Sequence, residues 1–176
     1  MDACALLNLT ATGEEVRIAE ALGLHFLVGV RALGEVIYHV GPEDDEGAPT
    51  REPVDLSEVE AKALLVTRSL GEEFDEAFVR AAEQLTDIDA ESVAIAATLP
   101  CPLVSDDAKV RKVARMVFPE VELLSTLELV HDAIALLELP PDQTRDWLRR
   151  LRRRGNFAPP RRLPLAEWYR DMLRGE

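Results

Sequence analysis

Two adjacent carboxylates, Asp106 and Asp107, directly follow the apolar run Leu103–Ser105, which is typical of a short buried strand. In parallel α/β sheets, functional groups collect beyond the carboxyl ends of the strands. This position therefore selects at least one of the two aspartates from the 33 acidic residues of the chain as a candidate for chemistry.

Three further acids stand in unusual surroundings. Glu91 lies in the first turn of the most apolar helical segment, where favourable interaction with the helix dipole is by itself a sufficient reason for an acid. Asp2 precedes an apolar stretch at the start of the chain, and Glu35 lies between Leu33 and Val36. An acid among apolar neighbours on a helix more often marks the rim of a core than a catalytic group.

These acids form a carboxylate set that has no matching His or Cys ligands. Hard oxygen ligands suit Mg²⁺ or Mn²⁺ rather than Zn²⁺. One or two such ions are the usual apparatus for phosphodiester hydrolysis, because they activate water and stabilise charge on the attacking and leaving oxygens. The two cysteines, Cys4 and Cys101, have no metal-ligand spacing and are expected to be small buried hydrophobes.

The elements that position these acids can be read from the hydrophobic pattern. Short apolar runs alternate with amphipathic segments, which predicts an α/β fold with helices on both faces of a parallel sheet. The predicted strands are Leu24–Val30, Leu103–Ser105 and Val121–Leu124. After a helical start over Ala3–Leu9, the predicted helices are Val16–Leu22, Ala32–Val40, Glu58–Leu65, Phe74–Leu85, Ala90–Leu99, Ala108–Val117, Leu127–Leu139, Asp142–Arg154 and Leu165–Leu173.

Several local expectations accompany this assignment. Ala32–Val40 is ambiguous, because helical spacing competes with β-branched content, and we interpret it as a helix. Gly41–Ser57 is rich in Pro, Gly and acids, which indicates a loop. Asp89 and Thr126 are the expected N-caps of their helices. The basic residues of Ala108–Val117 are expected to be exposed: Lys109, Arg111, Lys112 and Arg115.

Four stretches in this order resemble the PIN-domain nucleases, and within them the bacterial toxin-like members. They are MDACALLNLTATG, VRALGEVIYHV, DAESVAIAATL and PLVSDDAKVRKVAR, and together they cover roughly residues 2–130. In these stretches Asp2, Glu35, Glu91 and Asp107 are similar to the four acids of the family, with Asp106 as neighbour or alternative to the last. Each motif alone is weak, whereas their order and spacing together are fairly specific.

The resemblance implies a three-layer α/β/α fold around a central parallel sheet and cleavage of RNA with Mg²⁺ or Mn²⁺. It implies that Asp2, Glu35, Glu91 and Asp107 are catalytic, and that the metal is held by Asp2, Glu91, Asp106 and Asp107. For toxin-type members it also implies homodimers and an antitoxin partner whose tail covers the acidic site.

Two features depart from the family pattern. The family has a buried strand before its first Asp, but here only Met1 precedes Asp2, so the first strand is expected to be truncated and the body poorly stable. Glu91 stands where Asp is commoner, which moves the carboxylate by about one methylene and alters metal geometry without abolishing ligation. A catalytically inactive PIN-like module that binds a protein partner or RNA is the alternative.

Charge divides the chain into two parts. The net charge is −13, yet residues 145–176 carry ten arginines against four acids, a net of +6, which leaves −19 on residues 1–144. We therefore expect a PIN-like domain over 1–139 and a basic helical extension over 140–176, packed on or beside it. Its arginines could be solvated, contact RNA phosphates, or pair with the acidic body in cis or across a dimer. The RNA-binding candidates are Arg149, Arg150, Arg152, Arg153 and Arg154.

Other classes of protein fit the sequence less well. No apolar run reaches the roughly 20 residues of a membrane helix and no basic-then-apolar leader is visible, so we expect a soluble, cytoplasmic protein without a membrane partner. The serines lack the glycines of a nucleophile elbow, and the chain has no phosphate-cradling glycine loop. A receiver-like signalling domain needs a phosphoacceptor Asp and a later Lys, which are not in position.

Overall fold

Residues 1–174 are described by the computed structural model, and helices and short strands alternate along them. The helices are α1 (Ala3–Ala11), α2 (Glu15–Leu22), α3 (Val30–Leu33), α4 (Ser57–Ala61), α5 (Asp75–Ala82), α6 (Asp87–Thr98), α7 (Ala108–Val117), α8 (Thr126–Leu136), α9 (Pro141–Arg154) and α10 (Ala166–Leu173). The strands are β1 (Phe26–Gly29), β2 (Tyr38–Glu43), β3 (Pro49–Pro53), β4 (Leu65–Arg68), β5 (Leu103–Val104) and β6 (Leu123–Leu124). None of these helices combines the length and apolarity needed to cross a membrane.

The parallel pairing predicted from the sequence is present in two separate strand pairs. β1 pairs with β4, with Phe26 opposite Leu65. β5 pairs with β6, with Leu103 opposite Leu123. The mixed α/β class is thereby confirmed.

The first two residues lie between these pairs. The α-amino group of Met1 donates to the Leu27 carbonyl of β1 over 2.6 Å, and the Asp2 amide donates to the Val104 carbonyl of β5 over 3.0 Å. Within residues 1–174 no strand precedes α1, and these two bonds link the two strand pairs. Burial lowers the pKa of the Met1 α-amino group, because a cation is poorly solvated there.

An apolar cavity of about 180 Å³ lies beside this junction. Side chains of both strand pairs and of α6 line it, among them Met1, Phe26, Ile95, Val104 and Leu124. Within residues 1–174, the backbone hydrogen bonds described between the two strand pairs are those of Met1 and Asp2.

The C-terminal segment shares its core with the N-terminal part of the chain. Trp147, Leu148 and Leu151 on one face of α9 are buried in the cluster that also contains Leu9 of α1 and Val130 of α8. Arginines occupy the opposite face of α9, as expected for an amphipathic helix. Residues 175 and 176, the last two of the predicted 140–176 extension, lie outside the described residues.

The segment after β1 differs most from the sequence prediction. The helix predicted over Ala32–Val40 is wrong beyond Leu33, because α3 ends there and β2 follows in an antiparallel hairpin with β3. The predicted loop over Gly41–Ser57 supplies the end of β2, the turn and β3. Alternation explains the outcome: His39 is buried whereas Tyr38 and Val40 on either side of it are exposed, which is the period of a strand.

Most other elements match the predictions to within a few residues, and α7 matches at both ends. The helix caps differ: Thr86 caps α6, where Asp89 was expected, and Ser125 caps α8 in a capping box with Glu128, where Thr126 was expected. The strand β4 was missed, because its residues were interpreted as the end of a helix and a loop.

Candidate acidic site

Asp2 is the N-cap of α1, and its carboxylate is almost fully enclosed. Its Oδ1 accepts the Ala5 amide over 2.7 Å, and the residue is 4% exposed. Burial first, and then the negative charge of Asp106, raise the pKa of Asp2 to about 6, against the opposing effect of hydrogen bonds from Ser105 and Ala5 and of the N-terminal charge. An aspartate with so high a pKa carries negative charge that its surroundings do not fully compensate.

Asp106, at the end of β5, is held by groups from two other elements. Asn8 of α1 donates to Oδ2 over 3.0 Å, while Thr126 at the start of α8 donates its amide to Oδ1 over 3.0 Å and its hydroxyl to Oδ2 over 2.5 Å. These bonds fix the orientation of the carboxylate. A carboxylate has about four acceptor positions, so these three donors leave room for a further one.

Asp107 is the N-cap of α7. Its Oδ1 accepts hydrogen bonds from the amides of Lys109 and Val110 over 2.7 and 2.9 Å. Its own amide donates to the Ser105 hydroxyl over 3.2 Å. Cap formation alone explains an aspartate at this position. Its second oxygen has no described hydrogen bond within residues 1–174.

The charges of four aspartates act on the thiol of Cys4. The pKa of its thiol is raised to about 11, first by partial desolvation of the sulfur and then by the charges of Asp2, Asp107, Asp89 and Asp106. We call these four aspartates the acidic edge. Cys4 is exposed, in contrast to the burial expected from the sequence.

Asp89 is the member of the acidic edge that the sequence analysis assigned only to helix capping. It lies in the first turn of α6 and accepts the Thr86 hydroxyl over 2.8 Å. The sequence feature that could have indicated Asp89 is its position two residues before Glu91, in the stretch that resembles the third-acid helix.

Glu91 is deeply buried and engaged by α3. The side chain is 2% exposed, its Oε2 accepts the Arg31 and Ala32 amides over 2.9 and 3.2 Å, and its Oε1 lies 3.6 Å from the Arg31 guanidinium. Gly29 permits this approach, because a Cβ there would stand 2.2 Å from Oε2. Glu91 therefore ties α6 to the start of α3.

Glu35 lies apart from these contacts. It is exposed in the turn after α3 and lines a surface depression with Tyr38, His39 and other residues of the hairpin. Within residues 1–174, no described hydrogen bond or ion pair joins Glu35 to Asp2 or Asp106.

The acidic edge has the oxygen ligands that a divalent cation prefers, but these ligands are not arranged to coordinate one ion. The donors are carboxylate oxygens, which Mg²⁺ and Mn²⁺ prefer, and a cation would relieve the excess negative charge at Asp2 and Asp106. Across residues 1–174, however, no group of three His, Cys, Asp or Glu side chains could hold one metal ion. An ion would have to draw these carboxylates together.

The arginines of α9 fall into two groups. Arg150 pairs with Glu14 over 2.8 Å and with Asp146 over 3.0 Å, and Arg154 lies 3.5 Å from Glu52. Arg154 also lies 3.3 Å from Nδ1 of the buried His39. Arg152 and Arg153 are exposed and have no described hydrogen bond or ion pair in the part of the chain that the structure covers.

A second set of arginines surrounds a pocket of about 420 Å³ next to Asp106. We call it the arginine pocket and define it by Arg111, Arg115, Arg161 and Arg162. Arg111 was predicted to be exposed, but it is 5% exposed because its Nη1 donates to the Ser105 and Leu124 carbonyls over 2.9 and 2.7 Å. The sequence analysis assigned no ligand to this place.

Comparison with known proteins identifies no family for this chain. No protein-family model matches the chain, and neither a curated protein nor a solved structure matches it.

Proposed function

We propose that this protein is a Mg²⁺- or Mn²⁺-dependent endoribonuclease of the PIN-like type, and the toxin component of a type II toxin–antitoxin pair. The observation that carries the proposal is the position of Asp106. It belongs to the acidic edge and also lines the arginine pocket. A group of acids that suits a divalent cation beside a group of cations that suits phosphate is the combination that metal-dependent phosphodiester hydrolysis requires.

The residues of the acidic edge have different tasks in this proposal. Asp2, Asp106 and Asp107 hold the metal, which when bound activates water and stabilises charge on the phosphodiester oxygens. Asn8 and Thr126 keep the Asp106 carboxylate in one orientation. Glu91, which the family resemblance places among the ligands, positions α3 against α6 through its bonds to the Arg31 and Ala32 amides. Glu35 remains a catalytic candidate on the resemblance alone.

The finer fold belongs to the same proposal. We propose that β4, β1, Met1–Asp2, β5 and β6 lie in this order in a three-layer α/β/α arrangement with Met1 and Asp2 at its centre. The two parallel strand pairs and the backbone bonds of Met1 and Asp2 support this proposal. The homodimer and the antitoxin partner rest on the family resemblance.

The test is RNA cleavage by the full chain with Mg²⁺, with Mn²⁺ and with a chelator. We expect metal-dependent products that carry 5′-phosphate and 3′-hydroxyl ends. Asp107→Asn keeps an N-cap for α7, so we expect it to remain folded and to abolish cleavage. Undiminished cleavage by this variant would refute the site, and co-expression with the adjacent open reading frame tests the toxin–antitoxin part.

A second candidate is a PIN-like module that binds RNA or a protein partner without cleaving. The observation that favours it is that, within residues 1–174, no group of three potential ligands could hold a metal ion. Asp106 and Glu91 also already have hydrogen-bond partners. RNA binding without metal-dependent cleavage would establish this alternative over the nuclease.

A further inference from the structure

The arginine pocket is built by two segments that are distant in the chain. Helix α7 supplies Arg111 and Arg115, and the turn between α9 and α10 supplies Arg161 and Arg162, together with Pro160, Leu163 and Pro164. The Leu163 amide donates to the Pro160 carbonyl over 2.9 Å, and the prolines restrict the backbone of this turn. The pocket wall is therefore formed before any ligand arrives.

The four arginines of the pocket form no described ion pair within residues 1–174. Arg115, Arg161 and Arg162 are exposed, and in the described residues they have no hydrogen bond or ion pair. Arg111 has two carbonyl partners but no described ion pair within residues 1–174. Burial, and next the charge of Arg115, lower the pKa of Arg111, against the opposing charges of Glu128, Asp106 and Asp2.

The chemistry of the pocket selects an anion that is recognised by guanidinium groups. Arginine binds phosphate oxygens with paired, charge-assisted hydrogen bonds. The pocket volume of about 420 Å³ is in the range of sites for small ligands, so it can admit a single phosphate-bearing unit of a chain rather than a duplex. Asp106 on its wall repels a phosphate from that side and leaves the arginine side for it.

We infer that the arginine pocket is a phosphate-binding subsite for single-stranded RNA, and that it leads the strand past Asp106 to the acidic edge. This inference rests on the proposed function, and it assigns substrate binding to Arg115, Arg161 and Arg162. The paired arginines of α9, Arg150 and Arg154, hold that helix to the body.

The experiment measures binding of a fluorescent, unstructured single-stranded RNA by anisotropy in the presence of a chelator, so that cleavage does not interfere. The pocket variant is Arg161→Gln with Arg162→Gln. The variant compared with it, called the control, is Arg152→Gln with Arg153→Gln, which removes two of the RNA-binding candidates predicted from the sequence. Both variants remove two exposed arginines that have no described hydrogen bond or ion pair. Arg115→Gln is the second pocket variant, and it leaves the turn between α9 and α10 unchanged.

We expect the pocket double variant to weaken RNA binding at least about tenfold and the control to change it less than about threefold. The slope of log affinity against log salt should fall by about 0.7 for each arginine whose phosphate contact is lost. Arg115→Gln should weaken binding in the same direction, and duplex RNA should bind more weakly than single-stranded RNA.

The inference is overturned if the pocket and control variants weaken binding equally, if neither does, or if the wild-type chain binds no RNA. Failure of the proposed nuclease has a separate signature. In that case the pocket variant still reduces RNA binding, but wild type with Mn²⁺ does not cleave. Conversely, cleavage at the wild-type rate by the pocket variant overturns the subsite and leaves the nuclease intact.

Discussion

Two pairs of arginines, one on α9 and one in the arginine pocket, differ in whether their charges have partners. On α9, Arg150 and Arg154 contact Glu14 and Glu52 of the body, while Trp147 on the opposite face is buried in the core. In the arginine pocket, Arg161 and Arg162 have no such partners among the described residues. The same residue type thus attaches a helix in one place and remains available to a ligand in the other.

The acids divide in the same way. Glu91 is buried but receives two amides and a guanidinium, whereas Asp2 is buried beside another aspartate and has a pKa of about 6. Burial without compensation costs stability, and proteins retain such groups mainly at functional sites. In the function we propose, Glu91 therefore has a structural role and Asp2 a chemical one.

The largest effect on stability should come from ionisation of Asp2. Its pKa is raised from 3.8 to about 6, so its contribution is fully present below pH 4 and is lost as the pH rises through 6. Relative to Asp2→Asn, the wild-type free energy of unfolding should fall by about 2.5 kcal/mol between pH 4 and pH 7 in a chelator. Denaturant unfolding of both proteins across this pH range measures the difference. If the two free energies of unfolding change equally with pH, the charge of Asp2 is compensated, as that of Glu91 is.

Glu91→Gln should lower the free energy of unfolding by about 2 kcal/mol, because the buried group loses its charge toward Arg31 and the Arg31 and Ala32 amides lose a charged acceptor. Glu120→Gln, an exposed acid without a described partner in residues 1–174, is the matched control and should change stability by less than about 0.5 kcal/mol. Thermal unfolding measures both. A loss of RNA cleavage by Glu91→Gln without any loss of stability would show that Glu91, like Asp2, acts in the chemistry rather than in the structure.

The smallest effect is expected at α9. Arg150→Gln breaks ion pairs that are partly exposed, and such pairs contribute about 1 kcal/mol or less. Its affinity for single-stranded RNA should stay within about twofold of wild type, as measured by anisotropy. An RNA affinity as low as that of the pocket variant would remove the distinction between the two arginine regions.

The sequence predicted the elements that depend on local pattern. The period of apolar residues gave α7 at both ends, and the apolar run Leu103–Ser105 gave β5 and with it the position of Asp106. The hairpin of β2 and β3 was missed because β2 has a short alternation that competes with helical spacing, and its partner strand contains two prolines.

The contacts that define the site depend on tertiary structure. Asp106 is bonded by Asn8, which is 98 residues away in the chain, and Arg111 is drawn inward by carbonyls at the ends of both β5 and β6. Neither contact has a signature in local spacing. The arginine pocket likewise combines residues of α7 with residues of a turn near the C-terminus. The sequence therefore showed these arginines but did not predict that they lie around one pocket.

The most direct test of the account is the single-turnover rate of RNA cleavage with Mn²⁺ by wild type and by Asp2→Asn. Asparagine is also a good N-cap, so the variant should fold and be at least as stable as wild type at pH 7. The account predicts a rate at least about 100-fold below wild type, the scale of losing one electrostatic group from a catalytic site. Equal rates for the two proteins, or no metal-dependent cleavage by wild type, would contradict it.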